Sequence, residues 1–311
     1  MRVTANTFAN DLVVHLGRLS QRQNLLQSQA ATGQRIRNPS DDPDGLGRVL
    51  DLQQEGRSLA QYQRNISTLK EGAQISFTVL QGLKRISDRA GEIAVLAGGV
   101  RSREEMQAYA AELDELIKQA VQLANTRHRD DFLLAGTRSQ TAPFQAQYDP
   151  QGNVLSVTYQ GNTDTRHVEI AEGLALPAAT PGANSSGAGP RGLLADSRTG
   201  ADFFAHLLAL RDHLKAADSE SIRASDLPHL KADEENFIYH LAANGVFQAR
   251  LDTAQNLARS RLDGIEKLVS QEADADLAQT LVRLNTTQTA YQAALQTGGL
   301  ILRQSLLDYL R

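Results

Sequence analysis

The sequence predicts a mainly α protein: a long coiled-coil-like helical rod formed by both chain ends, with a β-rich domain inserted in the middle. Three observations predict it. Apolar residues recur at alternating steps of three and four near both termini. The register breaks once near each end, at RIRNPSDDPDG and at EADAD. The period changes to two only in the central part of the chain. Alternating steps of three and four put side chains on one stripe of a helix, whereas period two belongs to strands.

The first seam is Leu12, Leu16, Leu19, Gln23, Leu26 and Ala30, closed by Gly33 at a helix C-terminus. The segment RIRNPSDDPDG, with its prolines and turn formers, reads as an irregular connector. A longer helix follows Asp44, with its seam at Leu59, Tyr62, Ile66, Leu69, Ala73, Ser76, Leu80, Leu83, Ser87, Ala90, Ala94 and Ala97. A third helix is expected from Ser102 to Phe132, with Met106, Tyr109, Leu113, Leu116, Ala120 and Leu123 inward and a Ser102–Glu105 capping box.

The stretch FQAQYDPQGNVLSVTYQGNTDTRHVEIAEG alternates between turn signals and reads as a β-meander. PAATPGANSSGAGPRG is low in complexity and reads as a flexible surface loop. Helix returns from Thr199 to Ala217, with Phe203, Leu207, Leu210 and Leu214 inward. The last third carries two seams. One is Phe247, Leu251, Ala254, Ala258, Arg261, Ile265, Leu268 and Glu272. The other is Leu277, Leu281, Leu284, Gln288, Tyr291, Leu295, Gly298, Leu302, Ser305 and Tyr309. The step of five between them marks a break.

The two ends mirror each other, so the simplest folded answer pairs them. The expected division is a terminal helix pair (1–40 with 273–311), a helical rod (41–138 with 200–272) and a β-rich insert (139–199). A two-helix pair cannot cover all its apolar surface. Val13, Val14, Leu25, Val282, Leu300, Ile301 and Leu307 fall outside the seams and call for neighbours. Identical neighbours in a non-closing contact give rings or helical tubes. The expected assembly interface is Leu12, Leu16, Leu19, Leu26, Leu277, Leu281, Leu284, Tyr291, Leu295, Leu302, Leu306 and Tyr309.

Composition excludes several functions. There is no Cys, so disulfides, thiolate metal sites and cysteine nucleophiles are ruled out. Aromatics are 5% with no Trp, which suits a thin bundle better than a thick enzyme core. No apolar run has signal-peptide or membrane-span character, so membrane insertion is not expected. The early arginines, Arg2, Arg18, Arg22, Arg35 and Arg37, are spread out without interleaved aromatics. They read as a solvated face and not as a nucleic-acid site.

Candidate chemistry is weak throughout. Ser40, Asp42, Asp44, Gly45 and Asp51 fall at calcium-loop spacing, but position one should be Asp, position twelve Glu, and Arg48 puts a cation in the cage. A turn capped by Asp44 is the better reading. Ser67-Thr68-Leu69-Lys70 matches S-x-x-K by chance, inside a heptad. His206 and His213 stand two turns apart and read as surface histidines. His128-Arg129-Asp130-Asp131 reads as a solvated helix end. No catalytic residue, metal or cofactor is expected, and the chain reads as no enzyme.

SQAATGQRIRNPSDDPDG resembles the junction after the first helix in the flagellin superfamily, and Ser40-Asp41-Asp42-Pro43 is similar to the hook-associated protein 3 branch. DFLLAGTRSQTAPF resembles that branch's helix-to-insert boundary, with Leu134 where an aromatic is expected. YQGN at Tyr159–Asn162 resembles its insert, and the ending SLLDYL is nearer to that branch than to flagellin. The connector motif is then Arg35, Asn38, Ser40, Asp41, Asp42 and Pro43. The resemblance implies a structural subunit of the bacterial flagellum at the hook–filament junction, extracellular and exported without a cleavable signal peptide. It implies as partners copies of itself, another hook-associated protein on the hook side, flagellin on the filament side, and a cytoplasmic export chaperone for the last helix. A flagellin-type filament subunit is the alternative reading, ahead of a coiled-coil scaffold.

Overall fold

Helix α1 spans Ala5–Thr32 and stops at Gly33, whose φ of +73° is cheap only for glycine. The computed structural model describes the backbone of residues 5–309 and the side chains of residues 10–300. Helix α2 spans Pro43–Ala97 and α3 spans Arg103–Ala124. Nine short strands follow: β1 (Arg127–His128), β2 (Asp131–Phe132), β3 (Phe144–Tyr148), β4 (Val154–Tyr159), β5 (His167–Ala171), β6 (Leu174–Pro177), β7 (Ala183–Asn184), β8 (Ala195–Asp196) and β9 (Ala201–Asp202). Helix α4 (Phe203–Ala216), a short turn α5 (Ser219–Ser221) and a π-helical turn (Ile222–Asp226) lead into α6 (Leu227–Ala273) and α7 (Leu277–Tyr309).

Contacts divide the chain into two units, Met1–Ser58 with Ser260–Arg311, and Leu59–Arg259. Helices α2 and α6 contribute to both. These boundaries differ from the three-part division expected from the sequence. In particular, Phe144, Val154, Leu193 and Leu194 lie in one buried cluster with α2, α3, α4 and α6, so the 139–199 segment shares that core.

In the unit 59–259 the α2 seam is in the expected phase, with Ile66, Leu69, Leu80, Leu83, Ala90 and Ala94 buried. Helix α3 begins with the expected capping box. Ser102 accepts from the Glu105 amide at 3.2 Å and the Glu105 carboxylate accepts from the Ser102 amide at 2.9 Å. The helix ends at Ala124, well before the expected Phe132. There the Asn125 side chain bonds both backbone groups of Phe144, at 2.7 and 3.0 Å. Arg129, at φ 56°, then turns the chain into the β1–β2 hairpin. Helix α4 starts after Asp202, whose carboxylate accepts from Ala205 N at 3.3 Å.

The expected meander is two separate hairpins, β3–β4 and β5–β6, each with a register irregularity. The stretch read as a flexible loop is ordered. Strands β7, β8 and β9 form a small mixed sheet within and beside it. Asn184 is 1% exposed and donates to Ala188 O and Pro190 O, both at 2.7 Å. Gly192 is packed so tightly that a Cβ would collide with Ala195 O and the Asn184 amide. From α6, Asn236 donates to Gly192 O (3.1 Å) and Leu193 O (2.7 Å), and His240 Nε2 donates to Gly192 O at 3.0 Å. Small polar composition suggests freedom, but backbone groups bonded by buried side chains remove it.

Candidate functional site: the paired ends and their connector

The unit holding both ends starts from α1 and α7, which pack against each other along their lengths. They run antiparallel: Leu12 lies over Gly298, and Gln34 bridges Asp274. On α1 the inward residues are the expected ones, with Leu26 buried and Leu12, Leu16, Leu19 and Gln23 partly buried. On α7 the inward stripe is Thr280, Leu284, Thr287, Gln288, Tyr291, Ala294 and Gly298. Of the expected α7 seam, Leu284, Gln288, Tyr291 and Gly298 are therefore placed as read. Leu277, Leu281 and Leu295 are corrected: they sit on the flank, about half exposed. Small residues hold the seam because they let the helices approach. A Cβ on Gly298 would collide with Leu12, and Thr287 satisfies its hydroxyl on Arg283 O at 2.7 Å. Ile301, Leu302, Leu306, Leu307 and the Tyr309 side chain lie outside the described side chains.

The same one-position slip appears at the end of α6. Arg261 and Leu268, expected inward, are exposed, and Leu262 and Val269 take their places beside buried Ile265. A helix of 3.6 residues per turn drifts from a strict heptad, so the stripe moves to the neighbouring residue.

Around these seams apolar surface remains uncovered. Val13 is 68% exposed, Val282 65% and Leu300 63%, with Val14, Leu25, Leu277, Leu281 and Leu295 near half. From Leu277 to Leu300 the only charged side chain is Arg283. A helix exposed to water throughout its life normally carries charges on its outer face. This one carries Arg283 alone over that stretch.

The connector between α1 and α2 is tied to the break between α6 and α7. Arg35 N donates to Ala273 O at 2.6 Å and Ala275 N to Gly33 O at 2.7 Å, a short antiparallel bridge. The Arg35 guanidinium donates to Asp42 (3.1 Å) and to Glu272 O (2.7 Å). Arg48 holds both Glu272 carboxylate oxygens, at 2.9 and 3.3 Å. Asp41 accepts from the Arg37 and Asn38 amides at 3.1 and 2.8 Å, which closes the turn. Ser40 stands exposed at its tip. These contacts join the two breaks that mirror each other in the sequence.

The start of α2 corrects the expected cap. Asp42 is the cap, accepting from Gly45 N at 2.9 Å, with Pro43 at the first helical position and Asp44 in the first turn. The Gly45 amide, then Arg35, holds the Asp42 carboxyl below its ordinary range. The Asn38 and Arg37 amides do the same for Asp41, and Arg48 for Glu272. Both aspartates thus stay charged and spend their lone pairs on backbone donors. Gly45 must lack a side chain, because a Cβ would strike Asp42 and Ile36.

The histidines are also corrected. His206 and His213 are not free surface groups: their Nδ1 atoms lie 2.7 Å from Asp233 and 2.8 Å from Asp226. Among the described residues no group of three His, Asp or Glu is placed to hold a metal ion, and no helix is long and apolar enough to cross a membrane.

The geometry defines a class: a mainly helical chain whose two ends pair, with a β-rich segment between, and apolar surface left exposed on the pair. Residues 3–139 match the bacterial flagellin N-terminal helical region. The chain is similar to flagellar hook-associated protein 3 of Salmonella typhimurium, 31% identical over 138 residues, which is 43% of this chain and 44% of the relative. It is similar to flagellar hook-associated protein 3 of Escherichia coli, 26% identical over 275 residues, 86% of each chain. Among solved structures, a flagellar hook-associated protein from Vibrio parahaemolyticus superposes with a TM-score of 0.61. It is 19% identical, and the match covers 75% of this chain and all of that one. The likeness to the solved structure establishes the fold, and the resemblance to hook-associated protein 3 drawn from the connector motif is met again in the two sequence relatives.

Proposed function

We propose that this chain is a structural subunit of the bacterial flagellum that joins hook to filament. The observation that carries the proposal is the α1–α7 pair, whose seam is closed by small residues while its flanks keep Val13, Val282, Leu295 and Leu300 open. A pair so built is stable enough to form and too apolar to stay alone. Copies of the same chain supply the missing cover in a ring or helical assembly. The similarity to hook-associated protein 3 supports a place between another hook-associated protein and flagellin, outside the cell, reached by export without a cleavable signal peptide. It also supports a cytoplasmic chaperone that shields α7 before export. The role is mechanical, not catalytic.

Electron microscopy of cells lacking the gene tests this. Hooks without filaments are expected. Normal hooks and filaments would overturn the proposal, and filaments of altered length or shape would favour a filament subunit instead.

A further inference from the structure

Helix α4 and the start of α6 are stitched by two histidine–aspartate rungs one heptad apart. His206 faces Asp233 and His213 faces Asp226, so the rungs advance along one helix as they retreat along the other. Both carboxylates are 1% exposed. Asp226 closes the π-helical turn, whose wider spacing includes Leu227 N bonded to Ile222 O. Such turns rarely persist without a local reason, and keeping Asp226 opposite His213 is one. The Asp233 carboxylate also accepts the Asp202 amide at 2.9 Å, so the same group fixes β9 and the α4 cap.

The surroundings are acidic. Asp202 precedes α4, Asp218 precedes α5 near His213, and Asp226 lies in the π turn. From α6, His229 stacks on His206 with ring centres 4.5 Å apart and planes 11° apart. The basic side chains of α4, Arg211 and Lys215, are committed to Asp114 of α3, at 3.1 and 3.0 Å. On α6, Glu234 is taken by Lys84 of α2 at 3.3 Å. Among the described residues, His206 is thus the cation that reaches Asp233.

We propose that the His206–Asp233 rung is a proton-operated latch: it holds α4 and β9 against α6 while the ring is charged, and it loosens this corner when rising pH removes the proton. Burial pulls the His206 ring down, but Asp233 against it, helped by Asp202 and Asp226, outweighs burial and holds it above its ordinary value. A histidine raised in the folded state contributes stability in full below about pH 6.5 and loses it as pH rises through the folded value. The neutral ring still donates to Asp233, so the corner loosens without unfolding the rest of the core.

The test is hydrogen exchange of the full chain at pH 6 and pH 9, corrected for intrinsic rates, beside a titration of the His206 ring by NMR. Peptides within 201–235 should lose protection relative to α2 and α3, by roughly tenfold for each pH unit by which the ring is raised. In His206→Gln that loss should vanish. The proposal is overturned if protection of this corner is independent of pH, or if the variant keeps the same pH dependence. Should the variant not fold, the wild-type titration decides: a ring titrating at or below its ordinary value sinks the latch, and one titrating above it upholds it.

Discussion

Arg48, one turn into α2, grips both carboxylate oxygens of Glu272, the next-to-last residue of α6. The two residues are far apart in sequence, yet each stands beside a break, and their contact ties the breaks together. Both are solvent-exposed, so the pair adds little to global stability. Its effect should be local. In Glu272→Gln the melting temperature should barely move, while trypsin should cut faster at Arg35 and Arg37. Because Arg48 lowers the Glu272 carboxyl, the wild-type contact should persist above the ordinary glutamate range and weaken as pH falls through the lowered value. Unchanged trypsin rates would show that the backbone bridge alone holds the connector.

Two glycines near the start of α2 should behave oppositely. Gly45→Ala forces a methyl group into Asp42 and Ile36, and overpacking of this kind costs about 1–3 kcal/mol. Gly47→Ala meets nothing within 4 Å and should stabilise by about 0.5–1 kcal/mol, the usual gain in a helix interior. Thermal unfolding of the two variants checks the sign of each.

The 183–192 segment should not tolerate replacement. Asn184→Ala leaves the Ala188 and Pro190 carbonyls without their donor, a loss of about 1–3 kcal/mol. Protease cleavage between β7 and β8 should rise with it. Equal stability and equal resistance would restore the reading of this stretch as a free loop.

Burial drives His240 down to about 4, against the pull of the Gly192 carbonyl. A depressed histidine favours the folded state fully above about pH 6.5 and loses that advantage as pH falls toward the folded value. Stability should therefore drop between about pH 6.5 and the folded value near 4. The size of that drop should shrink in His240→Gln, measured by denaturant titration at both ends of the window.

Much of this is legible in the sequence. The α2 seam from Leu59 to Ala97 has no exposed member, because its apolar residues follow one stripe, which the buried neighbours Val79, Ile86 and Ile93 only widen. The α6 and α7 seams slip because they have competitors. At position 261 the heptad meets an arginine, and Leu262 beside it is the better core residue. On α7 the heptad favours Leu281 over its neighbour Thr280, since leucine is the more apolar. The fold takes the small residue for the helix contact and leaves the leucine outside. The histidine rungs cannot be read at all. Asp233 lies beyond a π-helical turn from His206, and no periodic rule counts through such a turn. The order in 183–192 is hidden by composition, since Asn184 and Gly192 look like any loop residues until α6 supplies partners for that backbone.

We propose the exposed apolar flank of the α1–α7 pair as an assembly surface. The measurement that tests it most directly is electron microscopy of cells whose only copy of the gene carries Val282→Asp with Leu295→Asp. Both residues are exposed and outside the helix seam, so the purified variant should keep the wild-type helical signal and melting point. The cells should show hooks without filaments. Filaments of normal number and length, grown from a variant with wild-type stability, would contradict the account.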